Sequence, residues 1–87
     1  MNDLYKKQEI TLRDRTMLKI TGIGEVSSFA EVGIVLASVN GDISVDGSDL
    51  KIVSLSSETG EIEISGRVNG VFYIEERPKK KLFGRRA

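Results

Sequence analysis

An 87-residue chain with 13 Lys plus Arg, 13 Asp plus Glu and neither His nor Cys is bounded to one small domain. Those absences exclude a thiol nucleophile, a disulfide framework, an imidazole acid or base, and the usual zinc and haem sites. The zero formal charge hides a division: residues 77–87 carry six cations and no acid, which leaves residues 1–76 at −6.

No apolar run nears the ~20 residues of a membrane helix, and residues 1–10, MNDLYKKQEI, lack the apolar stretch of a secretory signal. A soluble, cytoplasmic protein is expected. A domain this short buries only about 60% of its unfolded surface, so without disulfides or a metal, self-association is a natural source of further stability.

Residues 1–7 read as a flexible N-terminus, 8–76 as a β domain and 77–87 as a disordered basic tail, with the boundary at Pro78, where the apolar alternation stops. Period-2 alternation predicts an all-β fold, a small antiparallel sandwich or barrel-like roll of about seven short strands. In chain order, Ile10 and Leu12 mark a strand in QEITLR, Leu18 and Ile20 a second in MLKIT, and Val26 with Phe29 a third after the Gly22-Ile23-Gly24 break. In GIVLASV, Ile34 and Leu36 face one way, Val35, Ala37 and Val39 the other. Asn40-Gly41 then predicts a two-residue hairpin turn, since both residues tolerate positive φ. That turn pairs Val39 with Asp42 and Leu36 with Val45, and sets Ile34, Leu36, Ile43 and Val45 on one face. Asp46-Gly47-Ser48-Asp49 reads as a turn, Leu50, Ile52 and Leu55 as a strand, and Ser57-Glu58-Thr59-Gly60 as a second turn.

Asn69-Gly70 repeats the hairpin dipeptide, yet a turn there would set Phe72 opposite Arg67. One strand bent or bulged at its glycines keeps Ile62, Ile64, Val68, Phe72 and Ile74 on a common face and is the preferred reading. It leaves Val71 and Tyr73 on the other face, as Val35 and Val39 are on theirs. A strand apolar on both sides is usually buried on both, under a second sheet of the same chain or under a partner. Val35, Val39, Val71 and Tyr73 therefore form the candidate self-association face, and a homo-oligomer is the expected assembly.

Gly22-Ile23-Gly24-Glu25-Val26-Ser27 begins like a dinucleotide-binding loop but ends in Ser, with no helical pattern after it, so a turn or bulge is expected. Asp42, Asp46 and Asp49 lack the calcium-loop pattern and its distal Glu. Glu61 and Glu63 share a solvated face, without the cleft that separates an acid from a base. Ser27, Ser28, Ser56 and Ser57 have no His to activate them. No enzyme is expected, and no catalytic residue, cofactor or metal.

The tail RPKKKLFGRRA sets Arg77, Lys79, Lys80, Lys81, Arg85 and Arg86 around Leu82 and Phe83, a composition suited to an anionic surface. Each cation beside an acidic leaflet contributes about 1 kcal/mol within a Debye length. Attachment through the tail alone is therefore weak and salt-sensitive. Peripheral membrane contact is the alternative function. Another reading docks the tail on the acidic body of its own or a neighbouring chain. Nucleic acid is not expected, because the body would repel phosphate and the tail lacks interleaved aromatics.

KITGIGEVSSF, an apolar strand ending in Asn40-Gly41, then DISVDGSDLKIVSLSSETGEIEISGRVNGVFYIEE and a basic tail with Leu82-Phe83 resemble the YabP/YqfC family of sporulation proteins, the YabP branch more closely. The likeness covers residues 8–76. It implies a role in endospore formation, in the mother cell and at the forespore membrane surface, in spore envelope or coat morphogenesis. It also implies a sporulation-specific membrane protein as partner. It implies no reaction, and Gly22, Gly41, Gly47, Gly60 and Gly66 carry over as fold positions only.

Overall fold

Alternating Ile, Val and Leu between Gly-containing turns produce strands throughout. The computed structural model describes residues 7–74, in which the strands are β1 (Ile10–Arg13), β2 (Met17–Ile20), β3 (Ile23–Ala30), β4 (Gly33–Ser38), β5 (Gly41–Ser56) and β6 (Glu61–Ile74). They form one antiparallel sheet in the order β1-β2-β6-β5-β4-β3. The all-β expectation holds, with six strands in place of seven. Asp46-Gly47-Ser48-Asp49 does not separate two strands; it is a bend inside β5.

That bend, with a matching one in β6, divides the sheet into two arms. The first arm comprises β3, β4, residues 41–46 of β5 and 70–74 of β6. The second comprises β1, β2, residues 51–56 of β5 and 61–65 of β6. Leu18, Ile20, Ile62 and Ile64 from the second arm join Ile34, Leu36, Ile43 and Val45 from the first in one core, all eight fully buried. Each such side chain contributes roughly 1.5–3 kcal/mol on leaving water.

Two glycines permit the fold to bend there. A Cβ on Gly47 would lie 2.0 Å from the Arg67 carbonyl oxygen, and one on Gly66 2.5 Å from that of Asp49. Gly66 also has φ +125°, a conformation that L side chains rarely adopt. The N–H groups at the bend find carbonyls on two hairpin tips. Gly47 and Leu50 donate to Val32 and Glu31 at 3.1 and 2.9 Å, and Gly66 and Val68 to Thr16 and Arg15 at 3.2 and 2.8 Å.

The Asn40-Gly41 hairpin forms with a different register. Ser38 pairs with Gly41, Leu36 with Ile43 and Ile34 with Val45, two residues from the expected pairing, so the turn is Val39-Asn40. Gly41, with φ +114°, follows as the first paired residue of β5 rather than standing inside the turn. A slip of two preserves side-chain direction, and Ile34, Leu36, Ile43 and Val45 still share the buried face.

β6 runs continuously through Asn69-Gly70 as expected, but the predicted face reverses within it. Asp46 pairs with Gly70 and Gly47 with Val68, so Asn69 is an extra residue without a partner on β5. Before it, Ile62, Ile64 and Val68 point inward. Beyond it, Val71 and Tyr73 pair with the buried Val45 and Ile43, and therefore face inward, while Phe72 and Ile74 pair with Ser44 and Asp42 on the outer face.

Candidate interaction surface

The bulge at Asn69 decides where the predicted self-association residues stand, and it separates them. Val35 is on the outer face of the first arm, paired with Ser44. Val39 is in the hairpin turn, exposed. Val71 packs against the core. Tyr73 faces inward at the margin of the sheet, half-exposed, and its hydroxyl donates to Gln8 Oε1. The cationic residues Arg77, Lys79, Lys80, Lys81, Arg85 and Arg86, with Leu82 and Phe83, lie outside the described residues.

In exchange, the register places Phe72 and Ile74 outward beside Val35 and Ala37. Phe72 is 52% exposed and Ile74 42%. The Phe72 ring lies over Gly70, its Cζ only 2.5 Å from where a Cβ on that glycine would sit. Glycine at 70 therefore lets the ring lie flat on the outer surface.

The sheet has four free margins of unequal character among the described residues, and one of them, residues 51–56 of β5, pairs only with β6 and carries Lys51 and a register shift between Ile52 and Ser54. β1 is four residues long and ends in Arg13. β3 carries register shifts between Ile23 and Glu25 and again between Val26 and Ser28, and bulges of this kind blunt an edge against further pairing. The remaining margin is residues 70–74 of β6, Gly-Val-Phe-Tyr-Ile, paired without interruption to β5 on one side and to no strand on the other. It has no charge, no proline and no bulge.

Arg15 and Gln8, neither of which the pattern of apolar residues singles out, fix the surroundings of that margin. Asp14 and Arg15 have φ of 51° and 60°, so the β1–β2 turn holds two non-glycine residues in the left-handed region, which carries strain. Arg15 offsets it at the bulge: its Nε donates to the Val68 carbonyl at 3.2 Å and a terminal nitrogen to Asn69 Oδ1 at 2.8 Å. Gln8 Nε2 donates to the Thr21 carbonyl at 2.9 Å, so one side chain joins the segment before β1 to Thr21 and, through Tyr73, to β6.

The remaining surface has little that resembles a catalytic centre. A shallow groove of about 420 Å³ is lined by residues 22–24, 37–39 and 57–60 and holds one carboxylate, that of Glu58. A hollow of about 200 Å³ brings Glu31 and Asp49 together with Lys51. All three are exposed, so burial gives neither carboxylate an environment different from the other. Ser48 and Lys51 have the Ser-x-x-Lys spacing, which brings the two groups together on a helix. They lie on a bulged strand, Ser48 opposite Arg67 and Lys51 opposite Ser65. No group of three His, Cys, Asp or Glu among the described residues is placed to hold a metal ion. No helix among them is long and apolar enough to cross a membrane.

On the second arm, Glu61 and Glu63 share the outer face as expected. Lys19 pairs with Glu63 across the ladder and its Nζ lies 3.1 Å from Glu61 Oε2. The hydrogen bond to Glu61, with the charge of that carboxylate, raises the Lys19 ammonium above its ordinary value.

Most of the chain is similar to known proteins. The YabP family model matches residues 5–80. The chain belongs to the YabP family of sporulation proteins. Spore protein YabP of Bacillus subtilis (strain 168) is 33% identical over 79 residues, which cover 91% of this chain and 79% of that protein. The YabP match spans both arms, so the bent sheet and its uncharged β6 margin lie inside the region that the family defines.

Proposed function

We propose that this chain is a non-catalytic, self-associating β module that acts through protein–protein contacts in building the spore envelope, coat included, in the mother cell. The observation that supports this reading is the β6 margin at residues 70–74, unblunted and flanked by exposed Phe72 and Ile74. Unpaired N–H and C=O groups along such a margin are a template for another strand. A second copy related by a two-fold axis suits it well. Antiparallel pairing centred on Phe72 sets Gly70 opposite Ile74 and Val71 opposite Tyr73, with no like charges opposed. The two outer apolar rows would then adjoin.

Light scattering and sedimentation across a concentration series test the proposal. The full chain is expected to form a dimer whose dissociation constant rises at least tenfold in F72K and in I74K, with the strand circular dichroism retained. V53K, a charge on an exposed residue of the second arm, should leave the mass unchanged. A monomeric full chain, or a dimer indifferent to both margin variants, would remove the reading.

A further inference from the structure

The outer face of the first arm is an unpartnered sheet surface with an unusual balance of groups. Its ladder rows run Ser28–Val35–Ser44–Phe72, Glu25–Ala37–Asp42–Ile74 and Ala30–Gly33–Asp46–Gly70. Phe72 and Ile74 form an apolar strip on β6 and Val35 with Ala37 an apolar pair on β4, with Ser44 and Asp42 of β5 between them. The charged members are Glu25, Asp42 and Asp46, all exposed, none with an ion-pair partner among the described residues, and no cation shares the face. The corresponding face of the second arm mixes Arg13, Lys19 and Lys51 with Glu61 and Glu63.

We propose that this face receives residues 79–86 of the same chain, the lysines over Glu25, Asp42 and Asp46 and the Leu82-Phe83 pair on the apolar strip. The basic tail is then held on its own domain until a more strongly anionic surface displaces it. Complementarity selects the face: the segment is cationic and contains two large apolar residues, and the face is anionic and apolar. The other arm mixes its three cations with Glu61 and Glu63 and offers no such complement.

Reach is sufficient. Ile74 is the last described residue of β6 and itself belongs to the face. The four strands of a row span about 14 Å at the usual interstrand spacing of about 4.8 Å. Lys79 is five residues beyond Ile74 and extends up to roughly 17 Å from it at about 3.4 Å per residue. A tether this short gives an effective concentration in the millimolar range, well above that of a neighbouring copy in dilute solution. Docking by the tail occupies the outer face and leaves the backbone groups of the β6 margin open, so it does not depend on the self-association proposed above.

Two measurements on the full chain test the docking. In amide NMR spectra, K79E/K80E/K81E is expected to shift Val35, Asp42, Ser44 and Phe72, to the same extent at all protein concentrations, and raised salt should reproduce those shifts in the unaltered chain. Shifts confined to the tail or falling on the second arm would overturn the proposal. Shifts lost on dilution would also overturn it, because they would assign the contact to the tail of another copy. The second measurement uses vesicles of phosphatidylglycerol and phosphatidylcholine. E25K/D42K, which releases the tail, should bind them several-fold more tightly than E58K/E63K, which changes the net charge equally elsewhere. Equal affinities of the two variants would overturn the proposal whatever the oligomeric state.

Discussion

The two arms of the bent sheet bury similar inner faces, yet they present different chemistry outward. On the second arm, the outer residues mix cations with carboxylates and Lys19 meets Glu61 at 3.1 Å. On the first, three carboxylates stand among Val35, Ala37, Phe72 and Ile74 with no cation beside them among the described residues. β5 and β6 run through both arms, so the difference arises within single strands. In β6 it arises at one residue: Asn69 adds one position, reverses the alternation, and turns Phe72 and Ile74 from core positions into surface ones. A charge-mixed face and a face of apolar residues and unpaired carboxylates thus differ, in β6, by one inserted residue.

The bend that separates the arms is the most sensitive point. G47A puts a methyl group against the Arg67 carbonyl oxygen at 2.0 Å and should destabilise the domain by about 3 kcal/mol or more in urea denaturation. A loss below about 1 kcal/mol would mean that the bend relaxes freely. The reversal at Asn69 is tested by two isoleucines of the same strand. I64A, fully buried, should cost about 2–5 kcal/mol, whereas I74A, 42% exposed, should cost no more than about 0.5 kcal/mol. Similar costs at the two sites would restore a single uninterrupted face.

The smallest effect belongs to the second arm. E61Q removes the partner that raises Lys19, so the Lys19 ammonium should titrate closer to its ordinary 10.5 in NMR. A lysine raised on folding contributes stability that is complete below its unfolded value and lost as pH rises through the folded one. The variant should therefore fall slightly below the unaltered protein in thermal midpoint at neutral pH, where solvent screens the exposed pair, and the difference should vanish in strong alkali. A large shift in the midpoint at neutral pH would give the exposed pair a structural weight that solvent screening does not allow.

The positions of the strands were legible because each arm alternates cleanly between its bulges: Leu18 and Ile20, Ile34 and Leu36, and Ile62 and Ile64 are all buried as the pattern requires. The continuity of β6 through Asn69-Gly70 was inferred from one common face for Ile62, Ile64, Val68, Phe72 and Ile74; the strand is continuous, but that face is not. What the pattern did not carry was the count across a bulge. Val71 and Tyr73 are as apolar as Phe72 and Ile74, so no hydrophobic signal says which pair turns inward. The decision rests on Asn69 lacking a partner on β5. The turn at Asp46-Gly47-Ser48-Asp49 was misread because a bend within a strand uses the same small and acidic residues as a turn between strands. Arg15 was invisible because its part is played against Val68 and Asn69, more than fifty residues away.

The sharing of β5 and β6 between the arms has a consequence for how the domain comes apart. Their hairpin closes through the turn at Ser57-Glu58-Thr59-Gly60, and carbonyls of each flanking hairpin accept hydrogen bonds from the N–H groups of the bend. Neither arm can open without exposing inner residues of the other, so the domain has no half that survives alone. Hydrogen exchange in the buried stretches of β5 and β6 should therefore proceed through one cooperative opening rather than two. A module built this way is delivered to an assembly either complete or not at all.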